Sequence, residues 1–113
     1  MKYLVLALSA LGLTACAASV AEYRTRTPTV EYVTAKTPDE AVRCLGGQLE
    51  ARHDAPIVYA SDVGQTLTWA ESRRLFIDVI PIDGGSRVVL HQHGVLDAGN
   101  KFITAVNACR DPD

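Results

Sequence analysis

A tight turn between two alternating segments determines how the C-terminal half of the chain folds. Asp83-Gly84-Gly85 separates residues 74–82 from residues 86–93, and apolar side chains recur at every second position in both, at Leu75, Ile77 and Val79 and at Val88 and Leu90. An Asp-Gly pair between alternating segments is a strong β-hairpin signal, because glycine adopts the positive φ that a two-residue turn requires. The sequence therefore predicts an antiparallel pair of strands here.

Two shorter strands are expected before this hairpin. Residues 57–60 and 65–70 are rich in β-branched and aromatic side chains, with turns at 61–64 and 71–73. Consecutive strands joined by short connections pair as neighbours. We therefore expect an antiparallel meander of three or four strands.

A helix is predicted on each side of the meander. Thr37-Pro38-Asp39-Glu40 combines an N-cap threonine, a proline in the first turn and a glutamate three residues after the cap. This helix ends either at Gly46-Gly47 or near Arg52. A second helix is expected over residues 100–110, where apolar side chains recur at helical spacing. The order of elements predicts an α+β fold, a two-layer sandwich with both helices on one face of the sheet.

The composition fits one small domain. The chain has 113 residues, of which 48% are hydrophobic and 21% charged, and its formal net charge is -2. A slightly acidic chain lacks the excess of basic residues that nucleic-acid binding needs, and this hydrophobic content is too high for a disordered chain. We therefore expect a folded domain with no nucleic-acid partner.

The first fifteen residues differ from the rest. Of residues 1–15, 11 are hydrophobic, and Lys2 adds a positive charge near the start. The apolar run at 3–13 is too short to cross a bilayer, which takes roughly 20 residues, but it suits a secretory signal. Residues 1–15 are therefore predicted to be a cleaved signal peptide.

The end of this segment resembles the lipobox of bacterial lipoprotein precursors. Leu13-Thr14-Ala15-Cys16 has leucine first, a small residue before the cysteine, and Cys16 at the acceptor position. The resemblance implies cleavage before Cys16, a lipid on its sulfur and acylation of the new amino terminus, with palmitate as a typical acyl chain. Ala17 implies export to the outer membrane, on its periplasmic side. The alternative is an ordinary secretory signal cut near Ala18.

A tether is expected between this anchor and the folded domain at 37–113. Residues 16–36 are rich in threonine and contain Pro28, a composition typical of a linker. Residues 29–34 alternate imperfectly between apolar and polar side chains, so an edge strand is the alternative there.

If Cys16 carries lipid, the other two cysteines form an even pair. Outside the cytoplasm such a pair usually forms a disulfide. Neither Cys44 nor Cys109 lies in a CxxC motif or beside a histidine, which argues against metal ligation or a reactive thiol. We therefore expect a Cys44–Cys109 disulfide that joins the two helices.

One face of the predicted sheet is a candidate partner surface. Phe76 and Asp78 share a face of their strand, and Arg87 and Val89 are expected on the same side of the next strand. No predicted helix covers this face. A partly apolar, open sheet face is typical of a protein-binding surface.

His91 and His93 are candidate metal ligands. Two residues apart on a strand, both side chains point to one side, at a spacing that two ligands of one zinc or copper ion can use. A site needs a third ligand, and the sequence does not identify one. The alternative is a pair of solvent-exposed histidines.

The sequence contains no constellation typical of catalysis. Its turn serines, Ser61, Ser72 and Ser86, lack a Gly-x-Ser-x-Gly elbow. We expect no cofactor and a non-enzymatic role: a lipid-anchored envelope protein, similar to small lipoproteins of Gram-negative bacteria, with a protein partner in an envelope or secretion assembly. The alternative is a periplasmic metal-binding protein that uses His91 and His93.

Overall fold

The computed structural model describes residues 19–69, 74–93 and 101–111. The predicted signal peptide, Cys16 and the turn at 71–73 lie outside the described residues. In the described ranges, no helix is long and apolar enough to cross a membrane. The helices are α1 (Val20–Arg24), α2 (Pro38–Arg52) and α3 (Lys101–Asn107), and the strands are β1 (Val30–Thr34), β2 (Ile57–Ser61), β3 (Gly64–Thr68), β4 (Leu75–Ile82) and β5 (Gly85–Gln92).

The strands form one antiparallel sheet of five in the order β1-β5-β4-β3-β2. From β2 to β5 the strands follow one another as the predicted meander. Asp83 and Gly84 make the predicted turn between β4 and β5, and Gly84 has a φ of 81°. A Cβ at Gly85 would lie 2.0 Å from the carbonyl oxygen of Thr34. Glycine at position 85 therefore allows β1 to approach β5 closely.

Of the two alternatives for residues 29–34, the edge strand is the one that forms, so the tether prediction for 16–36 is wrong there. Residues 30–34 form β1, which pairs with β5 from Val30–Leu90 to Thr34–Ser86, so the sheet has five strands rather than three or four. The Tyr32 hydroxyl donates to the Val106 carbonyl oxygen at 2.6 Å, and burial raises the pKa of Tyr32 to about 12. This packing and the pairing with β5 stabilise a strand that the imperfect alternation at residues 29–34 indicates only weakly.

The core lies between one face of the sheet and the helices α2 and α3. Thr37 caps α2 as predicted, since its side chain accepts a hydrogen bond from the Glu40 backbone N–H at 3.3 Å. The helix continues through Gly46-Gly47 to Arg52. Strand side chains meet helix side chains in this core, and the largest fully buried ones include Leu45, Leu49, Leu67, Ile77, Leu90 and Phe102.

The predicted disulfide joins α2 to the residues that follow α3. Cys44 and Cys109 are bonded, with their Cα atoms 5.9 Å apart and 65 residues between them in sequence. Cys109 is buried against the core. The α+β fold with two helices stapled on one face of the sheet is therefore confirmed.

Candidate functional site

The second face of the sheet, opposite α2 and α3, is partly covered by α1. The Ser19 side chain caps this helix by accepting a hydrogen bond from the Glu22 backbone N–H at 3.2 Å. Tyr23 is 5% exposed, and its ring stacks on His93 with 5.2 Å between centroids. The sequence reasoning missed this helix, although Ser19-Val20-Ala21-Glu22 matches the S-x-x-E capping pattern.

An ion pair fastens α1 to the sheet. Arg24 donates from Nε to Asp78 Oδ2 at 2.9 Å and from Nη2 to Oδ1 at 3.1 Å, and the Thr66 hydroxyl donates to the same Oδ1 at 2.7 Å. The hydrogen bonds to Asp78 raise the pKa of the Arg24 guanidinium, because they stabilise its charged form. Asp78 is buried with both oxygens bonded, which suits an anchor point better than a general acid or base.

Three of the four predicted partner-surface residues are not accessible. Phe76 is 1% exposed, Asp78 2% and Val89 7%, whereas the Arg87 side chain is 48% exposed. The expectation of an open face was wrong because residues 19–28, which were assigned to the tether, fold over that face. Arg87 Nε lies 3.8 Å from Glu31 Oε1 on β1.

A cavity of about 240 Å³ remains on this face, between α1 and the turn that joins β2 to β3. Its charged walls come from Arg24 and Asp78 on one side and from Arg87 and Glu31 on the other. Because these four groups form two ion pairs, their charges balance within the cavity. It therefore offers little net attraction to a charged ligand.

The candidate metal ligands lie side by side, as their spacing predicted, but they contact each other. His91 Nδ1 is 3.0 Å from His93 Nε2, and His91 stacks on Phe76 with 4.9 Å between centroids. Burial, and then the proximity of His93, lower the pKa of His91, which favours a neutral ring. The two facing nitrogens lie within hydrogen-bond distance of each other. Among the described residues, no group of three or more His, Cys, Asp or Glu is arranged to hold a metal ion.

A second cavity, of about 300 Å³, lies beside α1 at Tyr23. Its described lining consists of Tyr23, Arg26, Arg74 and His93. The sequence reasoning missed this cluster, because Arg26 lay in the presumed tether and Arg74 at the start of a distant strand. The sequence contains no local signal for it, since the fold alone brings the two arginines together.

The edge strand β2 exposes a row of apolar side chains. Ile57 is 50% exposed, Val58 42% and Tyr59 39%, and the strand has β3 on one side as its neighbour in the sheet. At its other edge it presents backbone N–H and C=O groups that no strand of the described sheet pairs. Its residues 57–60 are all exposed, so none of the described helices buries either face of this strand.

Comparison with known proteins identifies no family for this chain. The chain matches none of the protein-family models, curated proteins or solved structures with which it was compared.

Proposed function

We propose that this chain is a lipid-anchored protein of the Gram-negative envelope, held in the outer membrane through acylated Cys16, and that its domain binds another envelope protein without catalysis. The observation that carries the anchor is the lipobox-like Leu13-Thr14-Ala15-Cys16. The Cys44–Cys109 disulfide is in keeping with an oxidising compartment such as the periplasm. Two or more acyl chains hold a protein stably, since each buried methylene contributes about 0.8 kcal/mol.

The outer edge of β2 supports the binding role best. Proteins usually protect such edges with charged residues, prolines or bulges, but β2 has the sequence IVYAS, which contains no charge and no proline. An extended segment of a partner can add to this edge as a further strand. Main-chain hydrogen bonds then supply affinity, while Ile57 and Tyr59 on one face and Val58 on the other supply apolar contacts.

In-cell crosslinking tests this role on the full chain in its own membrane. A photo-crosslinking amino acid at position 59 should give an adduct of one defined mass, whereas the same group at exposed position 50 on α2 should give none. Ile57→Lys should abolish the adduct, because it places a charge on the edge that the partner strand must cover. Equal adducts at positions 59 and 50, or an adduct unaffected by Ile57→Lys, would refute this role of β2. An adduct of twice the chain's mass would show that the partner is a second copy of this chain.

The anchor is tested in the same cells. Cys16→Ser should lose incorporation of a palmitate analogue and leave the membrane fraction, because the acceptor sulfur is absent. Ala18→Ser is the matched control and should keep both properties. A Cys16→Ser protein that stays in the membrane fraction and still takes the label would contradict the anchor.

A further inference from the structure

A row of four aromatic rings joins α1 to the sheet. Tyr23 of α1 stacks on His93 with 5.2 Å between ring centroids, and His93 lies 5.2 Å from His91. His91 stacks in turn on Phe76 of β4 at 4.9 Å. Tyr23, His91 and Phe76 are all buried. His93 is therefore in contact with α1 through one ring and with the sheet through another.

The contact between the two histidines limits how many protons they can hold together. His91 Nδ1 lies 3.0 Å from His93 Nε2. At this distance one of the two nitrogens must be unprotonated and accept the hydrogen bond, whichever ring donates. Two imidazolium rings would instead place one N–H group against the other and repel each other. The pair can therefore carry protons on three of its four ring nitrogens but not on the fourth.

The surroundings of the pair do not compensate for two positive charges. Burial, followed by the proximity of His93, lowers the pKa of His91. The charged groups that border the same cavity as His91 are Arg24 on α1, Glu31 on β1, Asp78 on β4 and Arg87 on β5. They form two ion pairs, so their charges balance. The described titratable groups around the cavity beside His93 are Tyr23, Arg26 and Arg74.

We propose that acidification releases α1 from the sheet through this pair of histidines. While Tyr23 covers His93, the two imidazole rings stay together and the fourth proton is excluded. When α1 lifts, the side chain of His93, which follows β5, can turn away, and both rings then titrate with an ordinary pKa of about 6.5. The released state binds at least one more proton than the docked state, so a falling pH favours release. Release uncovers the second face of the sheet around Phe76.

Hydrogen exchange of the full chain in a non-ionic detergent tests this release. The backbone N–H groups of Tyr23 and Arg26 donate to the carbonyl oxygens of Ser19 and Tyr23, so their protection reports on α1. Protection factors corrected for the intrinsic exchange rate should fall at least about tenfold in α1 between about pH 7.5 and about pH 5, the effect of one extra proton bound with a pKa of about 6.5. Those of β4 and β5 should change less than about twofold, because the core stays folded.

Histidine variants distinguish this pair from other titrating groups. His91→Phe keeps a ring against Phe76 but binds no proton, so the protection of α1 should then change less than about twofold between the two pH values. His91→Gln gives the same test with a polar side chain. His53→Gln alters the third histidine, which contacts Trp69 and Phe102, and should keep the full loss. Protection of α1 that does not fall in acid, an equal fall in β4 and β5, or a full loss in both His91 variants would overturn the proposal.

Discussion

Asp111 fastens the last described residues to the edge of the sheet. Its Oδ1 accepts a hydrogen bond from the Thr34 hydroxyl at 2.6 Å, and its Oδ2 accepts one from the Ala35 backbone N–H at 2.9 Å. These bonds, with that from Thr34 the most important, lower the pKa of Asp111 below its ordinary value of 3.8. The folded chain therefore favours the ionised carboxylate more than the unfolded chain does.

This lowered pKa predicts a specific loss of stability in acid. The contribution of Asp111 is fully present above its ordinary pKa and disappears as the pH falls through the lower folded value. Asp111→Asn should therefore destabilise the domain at neutral pH and make its stability less sensitive to acid. Urea unfolding of both proteins from about pH 7 to pH 2 measures this difference. A difference that stays constant across that range would contradict the assignment.

Single residues also show where sequence reasoning succeeds and where it fails. The Thr37 cap and the turn at Gly84 were predicted because each depends on neighbours within a few residues. Asp78 was misplaced on an open face because its partner Arg24 lies 54 residues away. Asp78 can be buried because this distant cation pairs with it. The pattern of residues along β4 does not indicate that pairing.

Among the elements, α1 shows how tertiary contacts create a helix that local propensity does not. It has 5 residues, far fewer than an isolated helix needs for stability in water. Its stability comes from the stacked ring of Tyr23 and the ion pair of Arg24 with Asp78. The capping pattern alone did not distinguish α1 from a tether. The imperfect alternation at residues 29–34 likewise did not distinguish β1 from a tether.

Removing the Arg24 side chain should loosen α1. Arg24→Gln leaves the buried Asp78 carboxylate without its cation, which costs about 3 kcal/mol of unfolding free energy or more. We expect faster hydrogen exchange over residues 20–28 and a lower urea midpoint. Adding Asp78→Asn to the same chain should recover part of the loss, because the uncompensated charge is then gone. Equal stability of the single and double variants would rule out the ion pair as the fastening of α1.

At the scale of the whole molecule, the spacing of apolar residues, together with the turn and capping motifs, predicted the architecture. The meander follows from alternation with short turns, and α2 from its cap. The two helices lie on one face because the sheet has one continuous apolar side. The fifth strand was only the alternative to a tether at residues 29–34, because its partner β5 lies far away in the sequence, beyond α2 and the other strands of the meander.

The disulfide should supply a large part of the stability of this small domain. Cys44 and Cys109 close a segment of 65 residues, which restricts the unfolded chain. The chain-entropy model gives about 4 kcal/mol for a loop of this size. Reduction, or the double variant Cys44→Ala/Cys109→Ala, should therefore lower the unfolding free energy by about that amount, as measured in urea. A loss of less than about 1 kcal/mol would show that the helices hold their place without the bond.

The early start of the folded chain restricts how far the domain can stand from a bilayer. Two residues lie between Cys16 and Ser19, the cap of α1, so at full extension the Cα atoms of Cys16 and Ser19 are at most roughly 11 Å apart. If Cys16 carries the lipid, α1 begins within that distance of the anchored residue. With that lipid in place, a partner that pairs with β2 would meet a domain held near the bilayer rather than one that diffuses freely.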